Sequence, residues 1–290
     1  ERQNMNFADM KNRSGTSTKS LQEKIEKSES KNTYKDERFW RPELDKSSNG
    51  YAVIRFLPAF GSEDLPFVKT YSHGFQGIGG WFIENCPTTT GGKCPVCEAN
   101  NALWNSGLDT DKDIARQRKR KMQYTSNILV ISDPTNPQNE GKNFLYKYGK
   151  KIFDKINEAM SPEFADEKAI NPFDFWKGAD FKLKVRKVAG YINYDKSEFD
   201  SPDALFEGQD SALEELWKKI YSLESFIGED QFKTYEALKV KFEGTVGSDI
   251  RSTETNNETV ETAPEPTTAR ENVSDDTDAL DYFEKLANES

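Results

Sequence analysis

The sequence is poor in the residues from which most active sites and most secreted folds are built. Its 290 residues include one histidine and three cysteines. Three cysteines cannot all pair within one chain, so we expect no disulfide framework and a reducing compartment. The sequence has no apolar run of about 18 residues, which excludes a membrane-spanning helix, and its first residues lack the apolar region of a secretory signal.

The excess of acidic residues lies at one end of the chain. The formal net charge is −10, and residues 245–290 hold 12 acidic and 3 basic residues, which is −9 of that total. That segment is rich in Thr, Glu, Asn and Pro, and residues 1–38 are polar with almost no aromatic side chains. We therefore predict a flexible basic arm over 1–38, a folded core over 39–244 and a disordered acidic tail over 245–290.

Basic residues cluster within the predicted core. Residues 112–121, 142–155 and 177–187 hold six, five and five bases, each set against one acid. A single basic stripe is typical of a solvated face, and a single tyrosine beside it is typical of the edge of a core. Three stripes with interleaved tyrosines instead favour nucleic acid, because unpaired bases stack on aromatic rings while cations follow the phosphates. The candidate contacts are Arg116, Lys119, Arg120, Lys121, Tyr124, Tyr146, Tyr148, Tyr191 and Tyr194.

The hydrophobic pattern indicates short strands with a few helices. Strands are predicted at 52–58, 67–75, 81–86, 124–132, 144–148 and 181–188, and helices at 97–107, 150–160, 211–227 and 230–242. Strands at irregular spacing are typical of a small β-barrel with additions, and they do not suit a sheet built from βαβ units.

The only histidine and the only cysteines of the chain fall within 25 residues, as H-x12-C-x7-C-x2-C. His73, Cys86, Cys94 and Cys97 supply the four nitrogen and sulfur donors that tetrahedral Zn²⁺ prefers. Four protein ligands leave no position for a reactive water, so the pattern predicts one structural zinc ion. The alternative is a set of unliganded thiols beside a surface histidine.

The same residues give little support to a catalytic function. A zinc deaminase needs a glutamate two residues after the histidine, and Phe75 stands there. With His73 on the metal, nucleophilic catalysis has no general base. No phosphate-binding G-x-x-x-x-G-K-[ST] motif occurs. We therefore expect a binding protein and not an enzyme, with a zinc-dependent nuclease or deaminase as the rival from another class.

Several ordered segments resemble one protein family. They are residues 53–58 (VIRFLP), His73 with Cys86, residues 94–97 (CPVC), 127–130 (NILV), 133–134 (DP), 139–142 (NEGK), 148–152 (YGKKI), 193–195 (NYD) and 275–278 (DDTD). Between about residues 49 and 242, and at both ends, the chain resembles the helix-destabilising, cooperative single-stranded DNA-binding proteins of T-even-like bacteriophages.

The resemblance implies a mixed β/α fold: an OB-fold β-barrel core with a zinc-binding subdomain (about 66–123) and a helical connecting subdomain, flanked by disordered tails. It places the zinc ligands on the four residues that the spacing also selects. It places the DNA cleft on Arg55, Trp104, Arg120, Lys121, Tyr124, Tyr146, Tyr191 and Tyr194.

The resemblance also implies roles for both ends. Cooperative self-association along DNA would depend on the arm, with Lys11, Arg13 and Lys19 as its bases. The tail, with Asp275, Asp276, Asp278, Leu280, Phe283 and Leu286, would recruit replication proteins such as polymerase, helicase loader and recombination mediator. The expected function is sequence-nonspecific binding of single-stranded DNA in phage replication, recombination and repair, in the cytoplasm of the infected bacterial host. The runner-up is a zinc-containing module for RNA or duplex DNA.

Overall fold

The computed structural model describes residues 36–164 and 166–247. The predicted arm residues Lys11, Arg13 and Lys19 lie outside these ranges, as do all the partner-binding tail residues named above. Among the described residues, no helix combines the length and the apolar character needed to cross a bilayer.

The described chain contains nine strands and five α-helices. The strands are β1 (Phe39–Trp40), β2 (Gly50–Phe56), β3 (Phe67–Gly77), β4 (Gly80–Asn85), β5 (Lys121–Ser132), β6 (Asn143–Tyr148), β7 (Phe181–Val188), β8 (Tyr191–Asn193) and β9 (Glu198–Phe199). The helices are α1 (Pro95–Asn105), α2 (Asp109–Arg118), α3 (Lys150–Met160), α4 (Asp210–Trp217) and α5 (Tyr235–Val246).

Strand β5 organises the sheet. Its first half pairs with β3, its second half pairs with β2 on the same edge, and β6 pairs with the opposite edge. The main path runs β1-β6-β5-β2-β7-β8. The predicted barrel is thus confirmed only as a mixed sheet with helices, because the two ends of this path do not pair within the described chain. Strands β1 and β8 have two and three residues, which is too few for a closing ladder.

Both faces of β5 are buried over most of its length, which is consistent with the apolar run at residues 128–131. One face packs against α3 through Ile152 and Ile156, in a core that also contains Phe56 and Phe181. The other face meets α4, where Leu129 packs with Leu213 and Leu216. The sheet is therefore the middle layer between two sets of helices.

The helices differ from the sequence predictions in length and number. The helix predicted over 211–227 ends at Trp217, and the one predicted over 230–242 begins only after Thr234, whose hydroxyl accepts a hydrogen bond from the Ala237 N–H at 3.3 Å. The basic stripe at 112–121 was not predicted to be helical, yet most of it forms α2. That helix has acids in its first turn and bases in its last, the arrangement that the helix dipole favours.

The tip of the β3–β4 hairpin rests on the last turn of α5. The Gly79 N–H donates to the Thr245 carbonyl at 2.9 Å. A Cβ on Gly79 would lie 1.9 Å from the Gly244 carbonyl oxygen, and one on Gly77 would lie 2.2 Å from that of Thr245. The backbones therefore approach more closely than any side chain allows, and glycine is required on the hairpin side.

We predict that Gly79→Ala lowers the free energy of unfolding by about 1–3 kcal/mol, because the new methyl group must push the hairpin away from α5. Gly244→Ala is the matched control. Nothing lies within 4 Å of its added Cβ, and alanine in the helix should be neutral or stabilise by up to about 1 kcal/mol. Urea denaturation of both variants measures the difference, and equal stability would contradict the close approach.

Candidate metal centre and nucleic-acid interface

Four donor side chains from separate elements converge in one buried cluster. His73 lies on β3, Cys86 follows β4, and Cys94 and Cys97 lie at the start of α1. Their ligand atoms all lie within 4.8 Å of one another. The Nε2 atom of His73 is 3.5 Å from the Cys94 sulfur and 3.4 Å from the Cys97 sulfur, and the Cys86 and Cys97 sulfurs are 3.6 Å apart. The sequence prediction that these four residues meet is confirmed, and together they could hold a metal ion.

The local sequence explains how the cluster forms. Pro95 occupies the first turn of α1, where it fixes the backbone and needs no hydrogen-bond acceptor. Cys94 therefore lies just before the helix and Cys97 one turn later, so their sulfurs face the same point. Phe75, Phe82, Val96 and Phe242 form an apolar shell around the ligands.

Hydrogen bonds orient the ligands. The Nδ1 atom of His73 lies 2.9 Å from the Arg118 carbonyl oxygen, which can only accept, so Nδ1 carries a proton and Nε2 faces the sulfurs. Burial lowers the pKa of His73, but hydrogen bonds with Cys86 and Cys94 outweigh it and raise the pKa to about 9. A metal ion that binds Nε2 therefore has to displace a proton.

Several predicted DNA contacts lie in the interior instead. Arg55 is 1% exposed, and its guanidinium donates to the Asp180 carboxylate at 3.2 Å and to the Asp203 carbonyl at 2.6 Å. Tyr148 is fully buried and its hydroxyl is 2.8 Å from that of Ser126, while Tyr146 is 3% exposed. In this arrangement these three side chains pack within the core, and their contact with DNA stays a prediction.

Three more predicted contacts are mostly covered. Tyr124 stacks on Phe153 with ring centroids 3.9 Å apart, and Lys121 and Tyr194 are also buried. The sequence does place tyrosines beside basic residues, but in the structure most of these rings pack in the core. Tyrosine gives this ambiguity because its ring suits a core as well as a base.

Acidic partners neutralise the basic stripe on β7. Lys182 pairs with Asp200 at 2.5 Å, Lys184 with Glu198 at 2.7 Å, and Arg186 with Asp195. The acids lie nine to 18 residues further along the chain than their basic partners, outside the segment 177–187 that contains the stripe. This face is therefore close to neutral, although Tyr191 at the adjoining turn is 61% exposed.

Apart from Tyr191, the predicted contacts that remain exposed lie on α1, on α2 and directly after α2. Trp104 on α1 is 50% exposed, and the Arg116 guanidinium lies 5.5 Å from its ring centroid while also pairing with Asp113. Lys119 and Arg120 follow directly after α2 and are exposed. Within residues 36–164 and 166–247, no carboxylate forms an ion pair with either of these two residues.

The structure adds two residues that the sequence analysis missed. The Arg120 guanidinium lies 4.1 Å from the ring centroid of Tyr71, and the Lys69 ammonium lies 5.3 Å from the same ring. We call Lys69, Tyr71, Lys119 and Arg120 the basic aromatic patch. Lys69 and Tyr71 lie at i and i+2 on β3, so they share a face of the strand. That spacing was visible in the sequence, but their position beside Arg120 depends on the pairing of β3 with β5.

Residues 48–246 match the model of a family described as gp32 DNA binding protein like. The chain belongs to this family. The matched region contains the metal cluster, the basic aromatic patch and every α-helix described above.

Individual proteins that are similar to this chain agree with the family assignment. The chain is 41% identical over 221 residues to the single-stranded DNA-binding protein of Enterobacteria phage T2, covering 73% of this chain and 71% of that protein. It is 40% identical over 223 residues to the single-stranded DNA-binding protein of Enterobacteria phage T4, covering 74% and 72%. A shorter match, 43% over 93 residues, is to the single-stranded DNA-binding protein of Enterobacteria phage RB70 and covers 31% of this chain and 76% of that protein.

Proposed function

We propose that this protein binds single-stranded DNA without sequence specificity, and that it does so as a non-enzymatic protein of phage replication, recombination and repair in the host cytoplasm. The observation that carries the proposal is the basic aromatic patch, in a chain of the gp32-like family. The Lys69 ammonium and the Arg120 guanidinium lie over the partly buried Tyr71 ring, so the patch offers positive charge to phosphates beside an aromatic side chain for a base.

The charge distribution supports this choice of surface. Lys69, Lys119 and Arg120 have no acidic partner among the described residues, whereas the β7 stripe does. A phosphate that approaches the patch therefore meets charge that no carboxylate has compensated. The exposed Trp104 and Tyr191 are further candidates for stacking, at positions that the sequence resemblance selected.

The metal that we propose for the cluster is one structural zinc ion. Zinc bonds of about 2.3 Å to sulfur and about 2.0 Å to nitrogen place tetrahedral donors about 3.5–3.8 Å apart. Three of the six separations, at 3.4–3.6 Å, agree with this geometry, and all four donor atoms lie within 4.8 Å of one another. Bound there, zinc would contribute folding energy by joining β3, the turn after β4 and α1. We further propose that the sheet is a variant of the OB-fold and that residues of about 66–123 form its zinc subdomain.

For the terminal segments, we propose the roles that the sequence analysis assigned. The arm, residues 1–38, would mediate contact between neighbouring copies on DNA. The tail after α5, residues 248–290, would recruit replication proteins, and its charge of −9 would compete with DNA for the basic surface. Solubility alone is the rival explanation of that charge.

We predict that the protein prefers a single-stranded oligonucleotide to duplex DNA and to RNA of equal length, in one competition titration. With about 4 phosphates neutralised, log K should fall with log salt at a slope near −3. A higher affinity for duplex or RNA would replace the proposed function by the runner-up.

Variants of the patch locate the interface in the same assay. Tyr71→Ala should weaken binding by about 1–3 kcal/mol through lost stacking, and Arg120→Gln should mainly flatten the salt slope. Tyr51→Ala and Lys218→Ala are matched controls, because Tyr51 is an exposed tyrosine beside the neutralised stripe and Lys218 is paired with Glu214. Equal effects of patch and control variants would contradict the assignment.

We predict about one zinc ion per chain after expression with zinc, measured by elemental analysis, and less than about 0.2 in Cys97→Ser. The variant should also melt at a lower temperature, because the metal no longer joins the three elements. Zinc content that is unaffected by the substitution would contradict the ligand assignment.

We predict that removal of residues 248–290 tightens binding to DNA at low salt and abolishes capture of the polymerase, because a tethered competitor has been removed. The difference in affinity should vanish at high salt, where screening weakens both interactions. Unchanged affinity at low ionic strength would refute the competition.

A further inference from the structure

One hydroxyl group lies between the metal cluster and the basic aromatic patch. The Thr88 Oγ1 atom is 3.1 Å from the Cys86 sulfur and 2.5 Å from Nη1 of Arg120. A guanidinium can only donate, so Thr88 accepts from Arg120 and its own proton is available for the sulfur. A metal-bound thiolate is an acceptor for that proton, and the three groups then form one directed chain of hydrogen bonds.

The same turn also holds the other half of the patch. The Cys86 N–H donates to the Tyr71 carbonyl at 2.8 Å, and the Tyr71 N–H donates to the Thr89 hydroxyl at 2.9 Å. On the opposite side of the cluster, His73 holds the Arg118 carbonyl two residues before Arg120. The segments that carry the Tyr71 ring and the Arg120 guanidinium are thus each attached to residues in or beside the metal cluster.

We propose that Thr88 is a positioning residue for nucleic-acid binding: its hydroxyl links Cys86 to Arg120 and holds the guanidinium against the Tyr71 ring, where it meets a phosphate of a stacked nucleotide. The inference rests on the proposed function and deepens it. It makes the metal-binding turn part of the DNA-binding surface, through a residue that need not touch DNA.

Two physical effects give Thr88 this role. An arginine side chain has many rotamers, and an anchored guanidinium loses less conformational entropy when it binds a phosphate. A hydroxyl that donates to an anionic sulfur becomes a better acceptor for Arg120, because hydrogen bonds in a chain polarise one another. Without the metal ion, the sulfur position is less defined and the anchor is weaker.

The experiment compares Thr88→Val, Thr88→Ser and Thr90→Val in zinc-loaded full-length protein. Valine keeps the shape of threonine without the hydroxyl, and serine restores the hydroxyl. Thr90 is the matched control, because its hydroxyl donates to Pro87 in the same turn and contacts neither Cys86 nor Arg120. Affinity for a fluorescent oligothymidylate of about 8 nucleotides is measured over a range of salt concentrations.

We expect Thr88→Val to weaken binding about threefold to tenfold, the range of one lost hydrogen bond, while Thr88→Ser and Thr90→Val bind like the parent. In a background of Arg120→Gln, Thr88→Val should have no further effect, because Thr88 acts through Arg120. Equal losses in both backgrounds, or no loss in either, would overturn the proposal. If the parent protein binds the oligothymidylate without salt dependence, the proposed function fails as well, and the two failures are thereby distinguished.

A second measurement does not require Thr88→Val to fold. Linkage between binding free energies is reciprocal, so saturating oligothymidylate should raise the zinc affinity of the parent protein, measured at equilibrium against a competing chelator. In Arg120→Gln, brought to the same saturation, that increase should be largely lost, because the connection from DNA to Cys86 is cut. Equal increases in both proteins would contradict a connection through Thr88.

Discussion

The convergence of four donor side chains, three of them buried and Cys97 partly buried, is the constraint on which the functional half of the molecule depends. His73, Cys86, Cys94 and Cys97 come from a strand, a turn and a helix. Three pairs of their donor atoms lie 3.4–3.6 Å apart within an apolar shell, and together the four residues could hold a metal ion. The exposed residues Lys119 and Arg120 directly follow Arg118, whose carbonyl oxygen contacts His73.

Charge compensation separates the useful basic residues from the others. On β7 every second residue is basic, but three acids from the following segment pair with Lys182, Lys184 and Arg186 and remove the excess charge. Beside the metal cluster, the Arg120 guanidinium contacts the Tyr71 ring and the Thr88 hydroxyl, and no carboxylate among the described residues forms an ion pair with it. Positively charged side chains that have fixed positions and no carboxylate partner are suited to binding a polyanion. The family assignment is consistent with this chemistry.

The sequence was most informative where the signal was local. Strand β5 followed from its apolar run and the metal cluster from the spacing of its four ligands, since chelation depends on few residues. Arg55, Tyr146 and Tyr148, which the sequence assigned to the DNA cleft, lie in the core, because residue type alone does not distinguish a buried arginine or tyrosine from an exposed one. The sequence analysis missed Tyr71 because only the pairing of β3 with β5 brings it beside Arg120. The two residues are 49 positions apart, and a short stretch of sequence does not reveal such a contact.

Hydrogen exchange tests the central claim, that the metal cluster orders the basic aromatic patch, most directly. Amide protection would be compared between zinc-loaded protein and protein treated with a chelator. The account predicts faster exchange after chelation at Tyr71, through the turn at 86–90 and at residues 118–121, while the β2–β7 pairing and helix α3 keep their protection. Unchanged exchange at 118–121, or an equal loss across the whole sheet, would contradict it.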